Sequence, residues 1–310
     1  MTTGTESETR KLTARRLASS SFKRAFHFTR RGHATIDMAP LKGDTQMKRA
    51  LLVAINDYPG KQNDLMGCVN DVHNMQDLLL SLFAFPPENI TMMTDRDATT
   101  ANILQALELL VEGAKPGDQI VFHFSGHGSQ ISDKNGDESD MCDEIICPYD
   151  LDWQSKVIRD DDLSRIFKSV KPGVHVEVFL DCCHSGTGLR VSGGKNAGYM
   201  NRRFLTPPKE VMPQSQEPGL MRLKPIKPAK IQVLWAACRS DQYAADALLD
   251  GRYGGAFTSF LCNCIRQAKG NISRTEVLKL IRNGLRKSGF IQIPQLETGS
   301  KLKKARFLVA

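Results

Sequence analysis

The chain contains no apolar run near the roughly 20 residues that a helix needs to cross a bilayer. Its mean hydropathy of −0.32 agrees, so no membrane span is expected. Its first residues also hold no apolar segment of the about 7–15 residues that a secretory leader carries. Export by that route is therefore not expected, and a cytoplasmic location is. Eight cysteines in 310 residues are too few for a disulfide scaffold. None shows the paired C-x-x-C spacing of a zinc site. Free thiols within apolar runs behave as small hydrophobes and suit a reducing compartment. The net charge is +8, yet no nucleic-acid-binding signature accompanies it, so no nucleic-acid partner is expected. The chain has no internal repeat.

The charge is uneven: residues 1–46 carry nine Lys/Arg against four Asp/Glu. This Ser-, Thr- and Arg-rich stretch reads as a disordered basic arm or propeptide. A basic helix over 13–31 or a transit peptide are the alternatives. Order begins at Lys48. The runs 49–55, 119–125, 174–181 and 231–237 are continuously apolar and short, the pattern of strands covered on both faces. A fifth strand is expected at 89–93 and a last one near 290–293. Helical spacing recurs at 71–85, 100–111, 161–170, 255–268 and 274–287, with a polar, Asp-rich loop before the third of these. Strands alternating with helices predict an α/β domain with a mostly parallel sheet and helices on both faces. Residues 193–230 contain six prolines among basic and polar side chains and read as an exposed linker. The expected organisation is thus 1–46 arm, 47–190 main catalytic region, 191–229 linker, and 230–310 completing the same domain.

Two of the apolar runs end in chemistry. The 119–125 run leads into Gly126-His127-Gly128, and the 174–181 run into Cys182-Cys183-His184. If these strands are parallel neighbours, an imidazole and a thiol emerge together at the carboxyl edge of the sheet, where open α/β folds keep their crevice. A thiol is a weak nucleophile until a base or cation raises its thiolate fraction. The chain is therefore a candidate cysteine hydrolase. Strand alternation puts Asp181 and Cys183 on one side and Cys182 on the other. Cys183 is the expected nucleophile. His184 adjoins it along the chain, where both side chains rarely reach one substrate, so His127 is the preferred base. His123 and His175 read as packed core histidines.

Phe124-Ser-Gly-His-Gly-Ser129 and Asp181-Cys-Cys-His-Ser-Gly186 resemble the histidine and cysteine motifs of metacaspases, within the caspase-like cysteine peptidases. Gly67-Cys-Val-Asn-Asp71, Asp143-Glu-Ile-Ile146, Ile158-Arg-Asp-Asp-Asp162 and Gly254-Gly-Ala-Phe-Thr258 match further motifs, in order. The resemblance covers about 48–190 and 230–300. It implies a caspase–hemoglobinase fold with a six-stranded sheet, a Cys183/His127 dyad without a third carboxylate, and an oxyanion hole from the N–H groups of Gly128 and Cys183. It also implies an acidic pocket for Arg or Lys before the cut bond, built from Asp71 and Asp181 and lined by Cys68 and Ser125. Two carboxylates can hold a guanidinium by charge-assisted, bidentate bonds. Asp143, Asp160 and Asp161 stand at positions that bind an activating Ca²⁺ in the family. Arg190 occupies the fourth, where a cation is a poor ligand. Partners are then polypeptides with Arg or Lys at the cut, and the chain is expected to be a monomer needing no cofactor for its chemistry. The linker offers Lys195, Arg202, Arg203, Lys209 and Arg222 as points of self-processing. A catalytically silent regulatory or scaffolding module is the first rival reading. A protein using its basic arm on nucleic acid or membrane is the second.

Overall fold

The computed structural model describes residues 27–28, 34–35, 46–134, 136, 141–184, 200–213 and 233–308. It divides into two units, 1–45 and 46–310. In the first, His27–Phe28 and Ala34–Thr35 form a short antiparallel pair. The rest of the helix considered for 13–31 lies outside the described residues.

The second unit is built on six strands: β1 (Lys48–Ala54), β2 (Ile90–Thr94), β3 (Gln119–Ser125), β7 (His175–Asp181), β9 (Val233–Ala236) and β12 (Gln295–Glu297). Their order is β12-β9-β7-β3-β1-β2. All neighbours are parallel except β12, which runs antiparallel to β9. Every residue of β1 and β3 is buried, as parallel strands covered on both faces require. The helices fall into two packed groups. One contains α1 (Cys68–Phe83), α4 (Ala256–Gln267) and α5 (Arg274–Lys287); the other contains α2 (Thr100–Val111) and α3 (Asp160–Lys168).

Local signals explain the boundaries. Thr99 caps α2 by accepting the Asn102 N–H, and Ser273 caps α5 in a reciprocal box with Glu276. Ala84 ends α1 in the left-handed conformation just before Pro86-Pro87. In the core Phe179 stacks on Trp235 at 6.0 Å. Glu177 below them accepts from Trp235 Nε1 at 2.8 Å and from Arg274 Nε at 2.6 Å. Burial pushes its carboxyl up to about 7 despite that partner.

Four expectations are corrected. The 126–160 stretch is not one loop: β4 (Gly128–Ser132), β5 (Cys142–Ile146) and β6 (Ile158–Arg159) form an antiparallel sheet. The last strand lies at 295–297 because Gln292 turns inward, donating to Ala237 O and accepting from Ala245 N. His175 is exposed, since it opens its strand at the edge, whereas His123 is buried. Part of the expected linker is structured. Strand β8 (Met200–Arg202) pairs antiparallel with β10 (Ala245–Leu249), which pairs with β11 (Arg252–Gly255). Arg203 is fully buried there because its charge meets acids from other segments.

Candidate active site

Parallel register brings the two chemical ends together. Ser125 pairs with Asp181 across β3 and β7, and each chain then runs two residues further, to His127 and Cys183. His127 and Cys183 therefore each stand two residues beyond a paired register position on neighbouring strands.

His127 is tightly held. Its backbone N–H donates to Tyr58 Oη at 2.9 Å, and that hydroxyl donates to Cys147 O at 3.1 Å. The two rings lie 4.8 Å apart. Nε2 sits 2.7 Å from Asn63 O. A carbonyl only accepts, so Nε2 carries the proton and Nδ1 of the neutral ring holds a free lone pair. Nδ1 has no hydrogen-bond partner among the described residues. Burial pulls the imidazole down to about 4, outweighing the Asn63 bond, so the ring is uncharged at neutral pH.

Cys183 Sγ receives the Ala244 N–H at 2.6 Å and lies 3.6 Å from Ala244 O. The Cys183 and Gly128 N–H groups converge on one oxygen, the Arg203 carbonyl, at 3.0 and 3.1 Å. Two backbone donors aimed at one carbonyl are what an oxyanion hole requires. A Cβ at residue 128 would stand 2.2 Å from Cys183 O, so only glycine admits this approach. Cys182 Sγ and His184 Nε2 face each other, 3.6 Å apart.

The acidic pocket holds the Arg203 side chain. Nη2 lies 2.7 Å from Asp71 Oδ2 and 3.0 Å from Asp246 Oδ1, and Nη1 lies 3.2 Å from Asp181 Oδ2. Nη1 also donates to Ser125 Oγ at 2.7 Å, which donates onward to Asp71 at 2.7 Å. Cys68 is buried close enough for Arg203 to pull its thiol down, although burial dominates and raises it. The match at 254–258 has a structural reason. The Gly255 N–H donates to Asp71 Oδ1 at 2.9 Å, while Thr258 holds Asp181 through its N–H and hydroxyl. Burial lowers the Arg203 pKa, but the surrounding acids raise it more, so it stays charged. The structure thus brings together every residue expected for the pocket. It adds Asp246, Tyr58, Asn63 and Ala244, for which sequence reasoning had no signal.

Asp71 carries a pH consequence. Burial, opposed by Arg203 and reinforced by Asp181, pushes its carboxyl up to about 7. The ionised form is the one that binds a cation. The value of about 7 belongs to the carboxyl beside the Arg203 guanidinium, which lowers it, so in a vacated pocket it lies higher. For Arg peptides, KM is therefore expected to rise as pH falls towards 7, by up to about tenfold per unit, and to level off below it. Asp71→Asn should flatten that limb in a KM–pH profile, since His127 titrates near 4.

The calcium expectation fares differently. Asp143 Oδ2 is engaged by Arg159 Nε at 2.7 Å. No three His, Cys, Asp or Glu among the described residues are grouped as a metal site. Asp160 is pushed up to about 7 by burial, then by Glu144, Asp161 and Asp143. A hard cation needs six to eight oxygens. As arranged, these residues do not fit one, and Arg190 lies outside the described residues.

Comparison with known proteins covers most of the chain. A profile described as the metacaspase peptidase C14 domain matches residues 48–192. Metacaspase-1 of Pyricularia oryzae is 30% identical over 294 residues, covering 83% of this chain and 73% of that protein. Metacaspase-1 of Cryptococcus neoformans is 33% identical over 292 residues, covering 81% and 62%. Metacaspase-3 of Arabidopsis thaliana is 43% identical over 161 residues, covering 49% and 43%. The chain thus spans less than two thirds of some of these relatives. Among solved structures, a Geobacter sulfurreducens protein matches with TM-score 0.61 at 24% identity, covering 85% of this chain and 99% of that one. Caspase-1 of Spodoptera frugiperda matches with TM-score 0.54 at 14% identity, covering 88% and 96%. The fold is caspase-like, a mixed sheet of six mostly parallel strands flanked by helices.

Proposed function

The chain belongs to the metacaspase family of cysteine peptidases, and on that premise we propose that it is an endopeptidase cutting polypeptides after Arg or Lys. Cys183 Sγ attacks the scissile carbonyl while His127 Nδ1 takes the thiol proton and passes it to the leaving amine. Proton transfer of this kind contributes about 10²–10⁴ in rate. The Gly128 and Cys183 N–H groups receive the developing oxyanion, and the resulting thioester is hydrolysed by water. One observation carries this reading. An arginine places its guanidinium among Asp71, Asp181 and Asp246 and its carbonyl between the two N–H donors. A pocket with three carboxylates favours a cation and repels the acidic side chain that a caspase-type specificity would need. The chain also processes itself within 191–229, where basic residues are available.

A panel of fluorogenic peptides with Arg, Lys or Asp before the cut tests the reading. Hydrolysis after Arg and Lys is expected; hydrolysis only after Asp overturns the pocket assignment. No metal enters the chemistry, and excess EGTA is expected to change the rate by less than about twofold, because Asp143 is committed to Arg159. A large drop restored by added Ca²⁺ would reverse that conclusion.

A further inference from the structure

Residues 200–205 lie in the site as a substrate would, and we propose that the Arg203–Phe204 peptide bond is the first bond this chain cuts, within its own molecule. The assignment rests on the Arg/Lys endopeptidase reading and names its first substrate.

Both flanks of the bond are held. Before it, β8 adds to the edge of β10 with Asn201 opposite Asp246 and Arg202 opposite Ala245. Addition of an extended segment to a strand edge is a common mode of peptide recognition. The Arg203 N–H donates to Ala244 O at 3.1 Å, the residue whose N–H meets Cys183 Sγ. Beyond the bond, the Leu205 N–H donates to Gly128 O at 3.1 Å, and Ser129 Oγ donates to Leu205 O at 2.7 Å. The Arg202 guanidinium stands 4.3 Å over the Tyr243 ring, and Phe204 meets the same ring edge-on at 6.1 Å. Tyr243 thus grips the residues on either side of Arg203.

The other basic candidates are not so placed. Arg202 and Lys209 are exposed, and Lys195 and Arg222 lie outside the described residues. Among the described residues only Arg203 combines a buried guanidinium in the acid pocket with a carbonyl between the two N–H donors.

In the cut, a bond forms between Cys183 Sγ and the Arg203 carbonyl carbon, and the bond to Phe204 N breaks. The thiol proton travels through His127 to that nitrogen. Water then hydrolyses the thioester, leaving Arg203 with a carboxylate, Phe204 with a free amine, and the thiol restored. Until the strand is cut and leaves, it excludes any other polypeptide from the pocket. Holding the bond in the same molecule replaces an encounter with a first-order step.

Freshly purified full-length chain, followed by intact mass and N-terminal sequencing, tests this. A new terminus at Phe204 is expected, appearing at a rate independent of protein concentration. Arg203→Lys should still be cut at that bond, and Arg203→Gln should not. Arg203→Gln, uncut at that bond, should hydrolyse fluorogenic Arg peptides at least about tenfold more slowly than cut wild type, since its strand stays in the site. A first new terminus elsewhere, a concentration-dependent rate, or an intact wild-type chain that nonetheless cleaves Arg peptides would each overturn the assignment while sparing the peptidase reading. If neither wild type nor either variant cleaves any Arg or Lys peptide, that reading falls and takes the assignment with it. Mapping the wild-type and Arg203→Lys termini decides the matter even if Arg203→Gln fails to fold.

Discussion

Cys183→Ala is expected to reduce hydrolysis of Arg peptides by at least about 10⁴-fold, whereas Cys182→Ala should cost only a few-fold. The two thiols are adjacent in sequence but differ in surroundings. Cys183 Sγ lies against the Ala244 backbone, and its own N–H points at the Arg203 carbonyl beside that of Gly128. Cys182 Sγ points instead towards His184 Nε2, at 3.6 Å. Burial holds the Cys182 thiol well above the ordinary cysteine range, with the neighbouring Cys183 adding to the effect. It therefore stays protonated at neutral pH, and a protonated thiol is a poor nucleophile. Single-turnover labelling with an electrophilic Arg peptide separates the two. Adduct on Cys183 in wild type and in Cys182→Ala, and none in Cys183→Ala, is the expected pattern. A labelled Cys182 in active wild type would reverse the assignment.

Asp71→Asn should lower kcat/KM for Arg peptides by about 10²–10⁴-fold, chiefly through KM. Removing one partner of a buried charge pair costs about 3–5 kcal/mol. A contact made equally in the bound and transition states appears in KM. The pocket is fully buried in the resting chain, so solvent screening does little to soften the loss. Asp246→Asn should have a similar effect, because Asp246 Oδ1 holds the same Nη2 at 3.0 Å. The Met66 and Gly67 N–H groups fix its carboxylate. Initial rates on Arg and Lys peptides, measured above pH 7 with chains already cut, give the comparison. If Asp246→Asn leaves KM unchanged, its carboxylate shapes the loop at 66–67 and does not read substrate.

The sheet was legible because buried parallel strands leave continuous apolar runs, and His127 and Cys183 could be singled out as candidates because each follows the end of such a run. Asp71 and Asp181 could be found only through the motifs around them. In isolation, an acid in the first turn of a helix is favourable beside the helix dipole and needs no pocket to explain it. Asp246 lies in the unremarkable run Ala244-Ala-Asp-Ala-Leu248, and nothing in its local pattern separates it from a solvated strand acid. Asn63 acts through a backbone carbonyl, which every residue possesses. The small sheet of β4, β5 and β6 was hidden by polar, Asp-rich composition, because its strands are short and separated by polar stretches of sequence.

Arg203 marks the boundary between the two kinds of knowledge. In sequence it is one basic residue among several in a Pro-rich stretch, which composition reads as an exposed linker. Residue types and periodicity determined the α/β class and placed a thiol and an imidazole each at the end of a buried strand; that these strands are parallel neighbours came from the structure. Tertiary structure alone decided which cation enters the pocket. Asp71, Asp181 and Asp246 belong to three segments far apart in the chain, and their fields add at one point only after folding has brought them within about 3 Å of the same guanidinium.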